Sequence, residues 1–273
     1  MERKVSEPVK NNGAVQTSDS LEAGRGGIAV AGDIIVDIVN ILDRYPERNM
    51  LANVLKTVYS VGGCVPNTII DLARIDSGIL LKAIGKVGND ENGRYAVSQR
   101  GIKTSIDVVS EDGDRFAEKV IPALKYTDYA IVNEVESCRV AGVEPRNSDG
   151  SVCVENIRTA MQRFFEYGVR DTVVIHCVEA GFLMKRSGEF YVSGSLELPK
   201  GYIKGSVGAG DAYAAACLYG IYNGYEPLRM LEFAAAAAAC NLSESNSVNG
   251  MKSREEIEML GRMYGKRRID MQI

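Results

Sequence analysis

A glycine-rich turn, GSVGAGD at residues 205–211, directly precedes a predicted alanine-rich helix. Glycines at this place let the backbone bend so that several N–H groups point outwards, and the helix dipole adds partial positive charge to them. Such a turn can bind an anion, and Asp211 at its edge could remove a proton from a hydroxyl group that attacks a bound phosphoryl group. In the structural alternative, Asp211 is only the N-cap residue of the helix. The sequence leaves both interpretations open.

A second glycine pair, Gly62 and Gly63, precedes Pro66 and Asn67. Two glycines before a helix-initiating proline allow a ligand to come close to the backbone, and the Asn67 amide offers a donor and an acceptor to hydroxyl groups. Asp37 lies in the first predicted strand region, where its carboxylate could accept hydrogen bonds from the hydroxyls of a polyol. Each feature also has a structural interpretation, because a glycine pair is often a turn and such an Asp is often a cap.

Two further polar segments follow predicted strands. Residues 85–93 (GKVGNDENG) form a predicted loop, and residues 133–136 (NEVE) come directly after a buried strand. Carboxylates at the second place could hold a hydrated magnesium ion. A solvated turn and a solvated helix start are the structural alternatives.

Strand-like and helix-like segments alternate between these motifs. The predicted strands are 27–39, 80–84, 104–109, 129–132, 172–177 and 189–192. The predicted helices are 66–74, 115–124, 156–167, 211–222 and 228–242. Residues 143–151 form a predicted surface loop, and the Ser-Gly pairs at 187–188 and 193–194 predict hairpin turns. The alternation predicts an α/β domain with a mostly parallel sheet.

The composition is that of an ordinary globular protein. The 273 residues are 45% hydrophobic and 25% charged, which excludes collagen-like, coiled-coil and wholly disordered chains. The net charge of -4 provides no basic excess for a nucleic-acid backbone, and Asp33, Asp37 and Asn40 interrupt the longest apolar run near the N-terminus, so it cannot cross a membrane. Six cysteines without C-x-x-C spacing favour a reducing cytoplasm, and the polar residues 1–27 predict a flexible tail.

The order of the motifs resembles that of the ribokinase/PfkB family of carbohydrate kinases. The matching residues are Asp37 for a substrate-binding Asp; Gly62, Gly63 and Asn67 for G-G-x-x-x-N; Gly88, Asp90 and Gly93 for G-x-D-x-x-G; Asn133 and Glu136 for N-x-x-E; and Gly208, Ala209, Gly210 and Asp211 for G-A-G-D. The resemblance implies a ribokinase-like three-layer α/β/α fold with a mostly parallel central sheet and a reduced β lid. It assigns residues 28–273 to one kinase domain, with remnant lid strands at about 42–60.

The resemblance also implies the role of each matching residue. Asp211 would be the catalytic base, and the amides of the three residues before it would form the anion hole. The sugar would be bound by Asp37, Gly62, Gly63 and Asn67. ATP and magnesium would be bound by Asn133, Glu136, His176, Gly181 and Asn241, with Glu136 as the metal ligand and Gly181 as the closing glycine of a nucleotide loop at 176–181.

Three departures from the family pattern stand in the sequence. Residues 205–207 (GSV) replace the family's Asp-Thr-Thr, so a monovalent cation near that loop is left open. His176 and Val178 replace the commoner Thr and Gly of the nucleotide loop. The interval between about Ser105 and Tyr129 is shorter than in relatives, which predicts a missing segment and a weaker closure over the sugar.

These observations predict a cytoplasmic ATP-dependent kinase that phosphorylates a hydroxymethyl group of a sugar. Its expected partners are the sugar and ATP, with no nucleic acid and no membrane, and dimerisation through lid strands stays open. The alternative is a catalytically impaired kinase-like protein that binds a sugar or nucleoside. A nicotinamide-dependent oxidoreductase and a P-loop phosphotransferase lack their glycine motifs here, and one histidine gives little support to zinc hydrolases or a Ser-His-Asp enzyme.

Overall fold

The computed structural model describes residues 27–32, 35–46, 50–85, 103–108 and 116–269. The predicted tail and most of the predicted loop at 85–93, with Gly88, Asp90 and Gly93, therefore lie outside the described residues. The elements in chain order are β1 (Ile28–Gly32), β2 (Ile35–Leu42), β3 (Val54–Gly62), α1 (Cys64–Ile75), β4 (Leu81–Gly85), β5 (Ser105–Ile106), α2 (Phe116–Leu124), β6 (Tyr129–Asn133), α3 (Glu134–Ala141), α4 (Val154–Glu166), β7 (Thr172–His176), β8 (Ala180–Lys185), β9 (Phe190–Gly194), α5 (Ala209–Tyr222), α6 (Pro227–Leu242) and α7 (Arg254–Met263).

The largest described sheet has five strands in the order β5-β6-β7-β8-β9. Strands β5, β6 and β7 run parallel, and β8 and β9 add an antiparallel hairpin at one edge. Strand β1 pairs with β4 in parallel, and β2 pairs with β3 in antiparallel orientation. The parallel strands β6 and β7 are apolar and largely buried, as expected for strands covered by helices on both faces.

Alternate residues of the five-stranded sheet face two separate hydrophobic cores. Ile131, Val174 and Leu183, which lie side by side in register, contribute to a core with α1, α5, α6 and α7. Their neighbours Val132 and Val173 contribute to a second core with α2, α3 and α4. This is a three-layer α/β/α arrangement, because successive side chains of a strand point to opposite faces.

The predicted helices are confirmed in order, and α3 and α7 are two further helices that were not predicted. The predicted strand at 27–39 is two strands, β1 and β2, which belong to different sheets. The hairpin of β8 and β9 holds two more differences. Strand β8 was not predicted, because Gly181 was interpreted as the end of a loop; this glycine instead lies inside the strand. A Cβ atom there would overlap the hydroxyl of Tyr213, so the strand needs a glycine for close packing on α5. The predicted turn at 193–194 is also wrong, because both residues belong to β9.

The β2-β3 hairpin is a two-stranded sheet, which the described pairings do not join to the other strands. Its outer part exposes apolar side chains: Leu51 is 86% exposed and Leu55 is 66% exposed. It covers the segment where the sequence predicts lid strands. Among the described residues, no helix is long and apolar enough to span a bilayer.

Candidate active site

Helix α1 begins at the second glycine pair. Gly63 is its N-cap residue with φ 97°, a conformation that a side chain would disfavour, and its carbonyl accepts the backbone N–H of Asn67 at 3.2 Å. Gly62 is the last residue of β3. The turn between β3 and α1 therefore places Asn67 in the first full turn of the helix, where its side chain is buried.

The amide of Asn67 binds the carboxylate of Asp211. Asn67 Nδ2 donates to Asp211 Oδ2 at 2.8 Å, although the two residues are 144 positions apart in the chain. Helices α1 and α5 pack against each other through the same core. The packing brings the glycine pair with its Asn and the glycine-rich turn with its Asp into one site.

Helix α5 begins at the glycine-rich turn with a glycine in the left-handed conformation. Gly208 is the N-cap residue, with φ 79° and ψ 0°, and it makes no side-chain cap. The interpretation of Asp211 as the N-cap is therefore wrong, because Asp211 lies in the first turn and its carboxylate is bound by Asn67. The amide of Ala209 donates to the carbonyl of Ser206 at 3.2 Å, so this member of the predicted anion hole is used within the turn.

The loop between α6 and α7 packs on the glycine-rich turn. A Cβ atom at Gly208 would overlap the carbonyl of Ser247, and one at Gly205 would lie 3.0 Å from the carbonyl of Glu244. Asn241, which is fully buried, donates its side-chain amide to the carbonyl of Ser247. Asn241 therefore holds the loop between α6 and α7 against the glycine-rich turn. Its contact with the nucleotide stays a prediction.

The start of α5 lies beside the carboxyl ends of the central strands. Asn133, His176 and Gly181 pair in register across β6, β7 and β8. A Cβ atom at Gly210 would lie 3.6 Å from Cε1 of His176. The carboxyl edge of a parallel sheet is the usual ligand-binding edge in open α/β folds.

A family model for "pfkB family carbohydrate kinase" matches residues 99–254 of the chain, more than half of its length. The chain belongs to this family. It is 32% identical over 97 residues to a 5-dehydro-2-deoxygluconokinase from Geobacillus thermodenitrificans, covering 36% of this chain and 28% of the relative. It is 30% identical over 105 residues to the enzyme of the same name from Listeria innocua, covering 38% and 31%. The matched part thus spans less than a third of these relatives.

Solved structures show the same fold at low identity. A ribokinase from Arabidopsis thaliana, complexed with ribose and ATP, aligns with a TM-score of 0.64 at 15% identity, covering 87% of this chain and 99% of that one. A 2-dehydro-3-deoxygluconokinase from Thermotoga maritima aligns with a TM-score of 0.63 at 17% identity, covering 87% and 100%. The ribokinase-like α/β fold expected from the sequence is confirmed.

Two of the predicted pfkB site residues, Asn133 and Glu136, are held in place by a reciprocal pair of hydrogen bonds, a capping box. Asn133 caps α3: its Oδ1 accepts the Glu136 backbone N–H at 2.9 Å, and Glu136 Oε2 accepts the Asn133 N–H at 3.3 Å. Glu136 is only 5% exposed. No cluster of three or more potential metal-ligating side chains occurs among the described residues. Glu136 offers a single carboxylate, and Mg²⁺ is usually bound through one or two carboxylates together with phosphates and water.

The position predicted for a sugar-binding Asp is described only by its backbone. Asp37 lies in β2 opposite Ser60 of β3, and its side chain lies outside the described atoms. Its binding role stays a prediction. The pairing places it on the hairpin whose second strand leads directly into Gly62 and α1.

The sequence analysis missed an arginine that connects α3 with the turn after β7. Arg146 donates from Nη2 to Glu134 Oε1 and from Nη1 to Glu179 Oε1, both at 2.6 Å. Burial alone would raise the pKa of Glu179, but the hydrogen bond and the charge of Arg146, together with hydrogen bonds from the Cys177 thiol and a backbone amide, lower that pKa overall. Arg146 stands in a segment with ordinary loop composition, so no local pattern indicated that it joins two acidic residues. It fixes the predicted nucleotide turn to the helix that carries Glu136.

His176, the single histidine of the chain, is neutral at physiological pH. Its ring stacks on that of Tyr213, with ring centroids 4.8 Å apart, and burial lowers the pKa of His176 to about 4. A cationic histidine is therefore not available to bind phosphate at pH 7. Its place beside the start of α5 favours a packing role.

Acidification should unfold the protein partly through this histidine. Between pH 6.5 and about 4, the histidine binds a proton in the unfolded chain but stays neutral in the folded protein. Its contribution to the free energy of unfolding is therefore fully present above pH 6.5 and is lost as the pH falls towards 4. The full loss is roughly 3 kcal/mol. We expect His176→Phe, which keeps an aromatic ring but cannot titrate, to lose less stability between pH 7 and pH 4.5 than the unmodified protein, measured by urea unfolding. Equal losses in both proteins would contradict the assignment.

Proposed function

We propose that the chain is an ATP-dependent kinase that transfers the γ-phosphoryl group to a hydroxymethyl group of a sugar. The contact between Asn67 and Asp211 carries the proposal, because it joins the sugar-binding motif to the residue proposed as the base. The family is that of carbohydrate kinases, and ATP and a sugar are the substrates that this family implies.

In the proposed reaction, Asp211 takes the proton of the attacking hydroxyl group. Asn67 keeps the carboxylate in place by donating one hydrogen of its Nδ2, and the second Nδ2 hydrogen and Asp37 orient the sugar. The amides of Gly208 and Gly210, together with the positive end of the α5 dipole, stabilise the negative charge of the phosphoryl group in transfer. The first turn of α5 therefore brings base and anion site together.

Magnesium would be held near Glu136 and Asn133, mainly through ordered water. When bound with ATP, the ion supplies positive charge that offsets the charge of the phosphates. Because Asn133 and Glu136 cap α3, their orientation is fixed before any ligand binds. Arg146 keeps the turn at residues 177–179 against the same helix.

The names of the relatives narrow the acceptor to be tried first. Two sequence relatives are named 5-dehydro-2-deoxygluconokinase and one structural neighbour is named 2-dehydro-3-deoxygluconokinase. Both names describe kinases that act on keto-deoxy sugar acids. We therefore place such acids ahead of neutral pentoses and nucleosides among the proposed substrates.

A second candidate is a kinase-like protein that binds a sugar or nucleoside without efficient turnover. The observation that favours it is the short interval of the sequence between β5, a strand of two residues, and β6, in which α2 is the one element among the described residues. A segment missing there would leave the sugar site less protected from water, and closure is what prevents hydrolysis of ATP.

Exposed side chains on the β2-β3 hairpin, among them Tyr45 and Leu51, support the related proposal that two chains pair through these hairpins.

Turnover separates the two candidates. The purified chain with magnesium and ATP would be tested for ADP release with keto-deoxy sugar acids, neutral sugars and nucleosides. We expect one acceptor to stimulate ADP release well above the rate without acceptor. If no acceptor does so but one raises the melting temperature, the binding protein is the better description. If no acceptor has either effect, both candidates fail.

A further inference from the structure

Helix α1 carries a buried carboxyl group that the proposed reaction does not use. Asp71 is 0% exposed, and neither carboxyl oxygen has a hydrogen-bond partner among the residues that the structure describes. An ionised carboxylate in such a place would be very unfavourable, because burying a charge without partners costs far more than burying a neutral polar group. The group is therefore expected to carry a proton.

A second unpartnered atom lies one helical turn earlier on the same face. Asn67 Oδ1 is buried without a hydrogen-bond partner in the described part of the chain, whereas Nδ2 of the same amide donates to Asp211. Residues four positions apart are neighbours on a helix, and helical side chains lean towards the N-terminus, so Asp71 leans towards Asn67. An amide oxygen only accepts and a carboxylate only accepts, so the two can bond only if Asp71 holds a proton.

We propose that Asp71 is protonated and donates a hydrogen bond to Oδ1 of Asn67, and so orients the amide that holds Asp211. One hydrogen bond then satisfies both unpartnered groups. It also fixes which end of the amide faces the base, because Oδ1 is occupied and Nδ2 must point to Asp211. Asp71 is thus a positioning residue, which acts on Asp211 through Asn67.

The charges around Asp71 agree with a protonated group. Burial, and then the charge of Asp211, raise the pKa of Asp71 to about 8, against a smaller opposing effect of Arg74. Of the strands packed on α1, β1 carries no ionisable residue, and the ionisable side chains described on β3 and β4 are the exposed Lys56 and Lys82. Besides Asp211, the ionisable side chains on the buried part of α5 are Tyr213, Cys217 and Tyr219. Burial raises the pKa values of Tyr213 and Cys217, so these two stay neutral.

The proton can be tested without any enzymatic assay. In the folded protein Asp71 keeps its proton up to about pH 8, whereas in the unfolded chain it ionises near pH 3.8. The contribution of Asp71 to the free energy of unfolding is therefore fully present below about pH 3.8 and is lost as the pH rises towards 8. Asp71→Asn cannot ionise at this position. The melting temperature of this variant minus that of the unmodified protein should therefore increase from pH 5 to pH 8 and stay constant at higher pH. A constant difference over this range would overturn the proposal.

The bond to Asn67 is tested by a double-mutant cycle at pH 6. Melting temperatures are compared for Asn67→Ala, Asp71→Leu and the double variant. If the two side chains bond, the double variant loses less than the sum of the single losses. Additive losses would overturn the bond. Glu166→Gln, a change at an exposed position of α4, controls for the loss of a carboxylate and should show no pH-dependent difference.

The effect on the base rests on the proposed function. The kinetic test uses the acceptor that stimulates ADP release. Asp71→Asn should keep kcat within about threefold at pH 7, because its amide can still donate to Asn67. Asp71→Leu should lower kcat about tenfold. The unmodified enzyme should lose kcat as the pH rises through about 8, and Asp71→Asn should not. The same alkaline decline in both would overturn the positioning role. If the unmodified chain turns over no acceptor, the proposed function fails, and the melting experiments alone decide on the proton and the bond.

Discussion

Asp211→Asn should lower kcat for the best acceptor by about 10²–10⁴-fold, the usual contribution of a general base. The asparagine oxygen can still accept from Asn67 Nδ2, so the contact between α1 and α5 is kept while the base is lost. The Km for the acceptor should change much less than kcat, because proton removal belongs to the transition state. ADP release under saturating ATP measures both constants.

Two controls make this result specific. Asp149→Asn makes the same chemical change at an exposed loop position and should keep kcat. The melting temperature of Asp211→Asn should stay close to that of the unmodified protein, which shows that the fold is intact. An Asp211→Asn protein with nearly full kcat would rule out Asp211 as the base.

Gly208→Ala should cost both stability and turnover. Gly208 has φ 79°, which costs an L-residue about 1–2 kcal/mol. Its new Cβ atom would also overlap the backbone of Ser247, a group that cannot rotate away as a flexible side chain could. We expect a total loss of at least about 3 kcal/mol in urea unfolding and a large fall in kcat. The fall in kcat follows because the turn that carries the proposed anion site must move.

Gly201→Ala is the matched control for this substitution. Gly201 has nearly the same backbone angle, φ 82°, but an added Cβ atom would meet nothing within 4 Å. It should therefore lose only the conformational part, about 1 kcal/mol, and keep its kcat. Equal losses of stability in both variants would mean that the loop on Gly208 does not hold the turn in place.

The local motifs and the alternating elements could be predicted from the sequence because both depend on neighbouring residues. Short apolar runs such as those of β6 and β7 predict buried strands, and the glycine-rich turn before a long helix predicts the start of α5. The family resemblance rested on the order of these same motifs, and the family model confirms it. Strand β8 was missed because a glycine is a local sign of a loop, whereas its reason here is a tyrosine from α5.

The sequence by itself determined the fold class, the family and the residues proposed for base, anion site and sugar. Only the tertiary structure decided their surroundings: Asn67 holds Asp211, Arg146 joins Glu134 to Glu179, and Asp71 is fully buried. These contacts join residues far apart in the chain or depend on which face of a helix is covered. A side chain's charge state follows from its burial and its neighbours, and these exist only once α1 and α5 have packed together.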